Sequence, residues 1–141
     1  MIIFLDLDGT LCDDRWRRPA AMPDWDAYHA GIPEDKPRAA VLNFIEHLDV
    51  SIPQLIILTG RPSRYAGPTL AWLEKYGVGY DELLMRPDDD YRSNAELKLS
   101  IVQEYIGGQA AVEKHDVLII DNNQKVADLL RTEGFEVWLV E

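Results

Sequence analysis

The chain has 141 residues, 47% of them hydrophobic, and a formal charge of -11. That length suits one domain with its own core, read here as spanning residues 1–141. The charge excludes a protein that coats nucleic acid through a general basic surface, though not one that grips a strand end locally. No apolar run approaches the ~20 residues that cross a bilayer, and no basic leader opens the sequence, so the expectation is a cytoplasmic chain with no membrane partner. The single Cys12 allows neither an internal disulfide nor a cysteine zinc site. Beside Asp13 and Asp14 its thiolate is disfavoured, and it reads as a bystander.

In chain order, Ile2 to Leu5 is an apolar run that reads as a strand buried on both faces, running into Asp6-Leu7-Asp8-Gly9-Thr10. Residues two apart in an extended chain point the same way, so Asp6 and Asp8 can reach one reacting group, one as nucleophile or metal ligand and the other as proton carrier. Leu11 to Pro37 carries prolines at 19, 23, 33 and 37, which predicts an irregular flap with a short helix near Trp25 to Ala30. Trp16 and Trp25, interleaved with Arg15, Arg17 and Arg18, either stack on a strand end or pack the flap onto the domain. A helical stripe follows from Arg38 to Leu48.

Gln54 to Leu58 is a second buried strand, ending in Thr59-Gly60-Arg61-Pro62. Leu70, Trp72, Leu73 and Tyr76 mark a helix stopped by Gly77, and Leu83 to Met85 a short third strand. After an acidic loop, Asp88 to Arg92, the Ser93-x-x-Glu96 pattern predicts a capping box opening the helix that carries Lys98, Ile101, Val102 and Tyr105. Tyr91 and Arg92 either flank a substrate or cap that loop. Val117 to Ile120 is a fourth strand closing on Asp121-Asn122-Asn123, followed by a helix from Gln124 to Arg131 and a last strand, Phe135 to Val140. Trp72 and Trp138 sit on apolar faces and are expected in the core.

Strand, helix, strand repeats to the end, the pattern of an α/β, doubly wound parallel sheet. For Asp6, Asp8, Thr59 and Asp121 to share one site, the first strand must lie between the second and the fourth, which gives the order 3-2-1-4-5 and a switch point beside Asp6.

The DLDGT stretch resembles the first motif of the haloacid dehalogenase-like (HAD) phosphohydrolases, and Thr59, Lys98 and Asp121 resemble the second, third and fourth. The resemblance implies Asp6 as nucleophile, Asp8 as general acid/base, Thr59 and Lys98 at the phosphoryl oxygens, and Mg2+ held by Asp6, the Asp8 main-chain carbonyl and Asp121. Where the fourth motif often has a second acid, this chain has Asn122, which can ligate through its carbonyl but adds no charge. Asp128, two turns into the helix, is expected at the surface. Neither usual insertion point has room for a large cap domain, so the site is expected to be open.

Across nearly its full length the chain is similar to the 3'-phosphatase domain of phage-type polynucleotide kinase/phosphatases. This implies removal of 3'-phosphates from polynucleotide ends, with Thr10, Arg17, Gly60 and Arg61 at the substrate. Arg17 and Arg61 would hold its phosphate. The third-motif acid four residues before Lys98 is replaced by Asn94. No GxxxxGK[ST] loop is present, so a kinase or ligase would be a separate partner. The alternatives are a nucleoside monophosphate phosphatase (nucleotidase) and a weakened HAD fold used for binding.

Overall fold

The structure, a computed structural model, describes residues 1–19, 24–49 and 54–141. Pro23, counted in the expected flap, lies outside them. A five-stranded parallel sheet is built from β1 (Ile2–Leu5), β4 (Gln54–Pro62), β5 (Glu82–Arg86), β6 (Val117–Asp121) and β7 (Glu136–Leu139) in the order β5-β4-β1-β6-β7. This is the expected 3-2-1-4-5. Helices α2 (Ala39–Glu46), α3 (Ala66–Lys75), α4 (Asn94–Gly107) and α5 (Gln124–Thr132) connect the strands. Among the described residues no helix is long and apolar enough to cross a membrane, and no large cap domain interrupts the sheet and helices.

The alternation of side chains along the strands decides where the polar strand ends go. In β1, Ile3 and Leu5 pack on one face with Trp72 and Leu73 of α3, while Ile2 and Phe4 pack on the other with Val102 of α4 and Val126 and Leu130 of α5. Asp6 continues the second series, and so does Asp121 after Val117 and Ile119 of β6. Both carboxylates therefore emerge on the side of α4, the helix that carries Lys98. On β4, Ile56 and Leu58 face α4, while Arg61, past an irregularity of register that follows Leu58, lies on the opposite side, where Nη1 donates to Thr69 Oγ1 of α3 at 3.0 Å.

The flap begins with a pairing that the sequence reading missed: β2 (Cys12–Asp13) runs antiparallel to β3 (Lys36–Pro37) and closes the segment at its base. Among the described residues between them lie two single 3-10 turns and α1 (Trp25–Ala30), the expected short helix, capped by Asp24. Ser93 caps α4 by accepting from Glu96 N at 3.3 Å, which is half of the expected capping box.

Trp138 corrects an expectation: it is 49% exposed rather than in the core. β7 is an edge strand, and with Val137 turned inward the next side chain must turn outward, where it rests against Phe44 with ring centroids 5.9 Å apart. Trp72 is buried as expected, and Asp128 is exposed on α5.

Candidate active site

A cleft of about 750 Å3 opens at the carboxyl end of the sheet, lined by Asp6, Asp8, Thr59, Gly60, Arg61, Lys98, Asp121 and Asn122 among others. This is the switch-point position of a doubly wound sheet. The polar groups at its floor divide into two charge systems, one on each side of the sheet.

The first contains Lys98, Asp6 and Asp121. Lys98 Nζ donates to Asp6 Oδ1 at 2.7 Å and to Asp121 Oδ2 at 2.6 Å, and all three side chains are buried. Thr10 Oγ1 donates to Asp6 Oδ2 at 2.8 Å. Two carboxylates thus face one ammonium. Burial, then the Asp121 carboxylate, push Asp6 up to about 7 against the pull of Lys98. Burial opposes the Lys98 charge, but Asp121 and Asp6 outweigh it and hold the ammonium above its ordinary range.

The second contains Arg17 and Arg61 against Asp8 and Asp35. Arg61 grips Asp8 with Nε at 3.0 Å and Nη2 at 2.7 Å, while Arg17 Nη2 reaches Asp8 Oδ1 at 2.6 Å. Arg17 is forked onto fully buried Asp35 through Nε at 2.8 Å and Nη2 at 2.6 Å. Burial alone would raise Asp8, but Arg61 and then Arg17 overcome it and hold the carboxyl down to about 2. Asp8, Cys12 and Asp35 offer ligand atoms within 4.8 Å of one another. The two guanidiniums already balance those carboxylates, and burial pushes the thiol up, so this trio does not suit a metal.

Asp6 and Asp8 thus line one cleft but have different partners, Lys98 and Thr10 for the first and Arg61 and Arg17 for the second. The chain leaves the extended path after Leu7, turning through Thr10 N→Leu7 O at 3.0 Å and Gly9 N→Cys12 O at 2.9 Å. Gly9 has φ +85°, and a Cβ there would lie 2.2 Å from the Asn122 side-chain amide. Gly9→Ala is expected to cost about 1–3 kcal/mol in a denaturant titration and to displace Asn122.

Two further residues expected at the substrate lie elsewhere. Thr10 is fully buried and bonded to Asp6, and Arg17 stands behind Asp8, tied to Asp35. Gly60, Arg61 and Thr59 are on the cleft wall, with Arg61 committed to Asp8 and Thr59 Oγ1 accepting from Arg61 N at 3.2 Å. Asn94 accepts from Arg86 Nη2 at 2.7 Å. Sequence reasoning missed Asp35, Arg86 and Asp14, which accepts from Tyr28 Oη at 2.5 Å and Arg18 Nε at 2.9 Å. Apart from Arg18, four positions from Asp14, their side-chain partners lie eight or more positions away, and the other acceptors of Arg86 are main-chain carbonyls, which residue identity does not signal.

Oxygen atoms for a hard cation converge beside Asp6. With its amide oriented to satisfy both ends, Asn122 Nδ2 is 3.1 Å from Asp6 Oδ2 and 3.1 Å from the Asp8 main-chain oxygen, so both oxygens face one point. An excess of buried negative charge and two oxygens that converge on one amide donor fit a magnesium-like ion in that donor's place.

The sequence profile described as the polynucleotide kinase PNKP phosphatase domain matches residues 1–141. A chain of the Pnkp1/Rnl/Hen1 RNA repair complex is 30% identical, with a TM-score of 0.76 over 99% of this chain and 42% of that one. A candidate bifunctional polynucleotide kinase/RNA ligase of Autographa californica nuclear polyhedrosis virus is 29% identical over 109 residues, 76% of this chain and 15% of that protein. A candidate phosphatase from Clostridium difficile, 17% identical, shares the fold with a TM-score of 0.69, over 96% of this chain and 82% of that one. The chain therefore spans less than half the length of its nearer relatives named here. With the profile matched from residue 1 to residue 141, the chain belongs to the family of the polynucleotide kinase PNKP phosphatase domain and is a HAD-type phosphomonoesterase.

Proposed function

We propose that this domain removes 3'-phosphates from polynucleotide ends through an aspartyl-phosphate on Asp6, with Mg2+ as cofactor. The observation that carries the reading is the buried Asp6-Lys98-Asp121 set on the cleft floor, beside the convergent Asp8 carbonyl and Asn122 amide. Asp6 Oδ attacks phosphorus, the bond to the ester oxygen breaks, and Asp8 gives that oxygen its proton. Asp8 then takes a proton from water as the water attacks the phosphorus of the aspartyl-phosphate, releasing inorganic phosphate and freeing Asp6. Lys98 and the Thr59 hydroxyl stabilise the charge on the transferring group.

As a general acid Asp8 must carry a proton, which Arg61 and Arg17 oppose. A substrate phosphate that takes over N–H groups of Arg61, on the cleft wall, lessens that opposition. Magnesium held by Asp6, the Asp8 carbonyl, Asp121 and, with its amide turned to present the carbonyl oxygen, Asn122 would supply charge neutralisation for the carboxylates and phosphate. Asn122→Asp would add a second full charge at the point facing Asp6. That variant is expected to melt lower than wild type in chelator and to bind magnesium about tenfold more tightly by calorimetry.

The nucleic-acid substrate is supported by the family and by the relatives, one a chain of an RNA repair complex and one described as a polynucleotide kinase/RNA ligase. They also support a kinase or ligase as working partner. Phosphate release from a 3'-phosphorylated oligonucleotide and from a nucleoside 5'-monophosphate at equal concentration tests the substrate. Preference for the oligonucleotide is expected, and preference for the mononucleotide would make this a nucleotidase.

A further inference from the structure

Tyr91 is 90% exposed and lines the mouth of the same cleft that has Asp6 and Lys98 at its floor. Its ring makes no hydrogen bond and no ring contact among the described residues, so packing does not account for it. The backbone that carries it is nonetheless held. Arg86 Nη1 donates to the carbonyls of Asp90 at 3.1 Å and Arg92 at 2.6 Å, on either side of Tyr91. The same guanidinium donates through Nε to Gly60 O at 2.9 Å and through Nη2 to Asn94 Oδ1 at 2.7 Å. An Asp90–Arg92 ion pair of 2.6 Å closes the loop across the tyrosine.

Arg86 thereby fixes the loop relative to the residue after Thr59 and to the helix turn before Lys98. An aromatic ring is held out in water at a set position beside the phosphoryl site. Trp25, the other exposed aromatic of the cleft, differs: it meets Tyr28 edge-on at 5.7 Å and lies nearly parallel to His29 at 6.3 Å. The cleft, at about 750 Å3, falls in the ~300–1,000 Å3 range of sites that enclose a whole organic ligand. A terminal phosphate on the floor leaves room for the nucleoside that bears it.

We propose that Tyr91 is the stacking platform for the nucleobase next to the scissile phosphate. This deepens the polynucleotide reading above and rests on it. A flat aromatic face suits any base, so the site would select for the presence of a base and not for its identity.

The test uses two 3'-phosphorylated oligonucleotides, one with an intact terminal nucleoside and one abasic at that position, with wild type, Tyr91→Phe and Tyr91→Ala. On the intact strand Tyr91→Ala should raise KM about tenfold with kcat within about twofold, and Tyr91→Phe should retain the wild-type KM. On the abasic strand all three proteins should show the same raised KM. Fluorescence anisotropy of the labelled strands with each protein in chelator reads the same difference without turnover. An unchanged KM and affinity in Tyr91→Ala, or an equal loss on the abasic strand, would overturn the stacking role. Absence of phosphate release by wild type would instead count against the function, and the anisotropy comparison would still decide Tyr91.

Discussion

Asp6→Asn is expected to lower phosphate release by about 10^4-fold or more while the protein still folds. Asparagine keeps the size of the side chain, and its carbonyl can still accept from Lys98 Nζ, which lies 2.7 Å from Asp6 Oδ1. What it loses is the anionic oxygen that attacks phosphorus, together with one of the two negative charges facing the buried ammonium. Thermal melting alongside the assay separates the two possible causes of inactivity. A variant that melts near wild type yet releases no phosphate carries the nucleophile assignment. A variant that keeps substantial turnover removes Asp6 from the chemistry.

The second large effect is on stability. Asp35→Ala should destabilise the fold by about 3–5 kcal/mol, because it removes one side of a buried ion pair and leaves the other desolvated. For a domain of this size that is a fall in Tm of roughly 10–20 °C. The Asp35 side chain is fully buried and accepts from Arg17 Nε and Nη2 and from Trp16 Nε1 at 2.9 Å. Its main-chain oxygen, which the substitution keeps, accepts from Trp72 Nε1 at 2.9 Å, so the turn itself stays tied to α3. The milder Asp35→Asn retains an acceptor for Arg17 and is expected to fall between the two. If Asp35→Ala melted like wild type, the flap would not be anchored through this pair.

The sheet was legible because its signals are local. Three apolar runs each end in an acid or a hydroxyl, at Asp6, Thr59 and Asp121, and those ends meet when the first strand lies between the other two. Strand parity then carried Asp6 and Asp121 to the face of Lys98. What remained hidden depends on contacts between distant residues. Arg17 looked like a free cation beside the site, but it is held by Asp8 and by Asp35, eighteen positions on, at the far end of the flap. Arg86 looked unremarkable because three of its four acceptors are main-chain carbonyls, which the identity of a residue does not reveal. Trp138 was misplaced because hydrophobicity alone does not say which face of an edge strand turns outward. Asp6 and Asp8 were separated by the turn that Gly9 permits, so spacing predicted their shared cleft but not their different partners.

The measurement that bears most directly on the account is phosphate release from a 3'-phosphorylated oligonucleotide by wild type and Asp6→Asn, each with magnesium and with chelator. Asn94 and Asn122 stand where the HAD resemblance leads one to expect acids, so activity here asks whether Asp6, Lys98 and Asp121 suffice. Release by wild type with magnesium only is expected, and none by Asp6→Asn under either condition. Release that survives chelation, equal release by Asp6→Asn, or none by wild type would contradict that expectation.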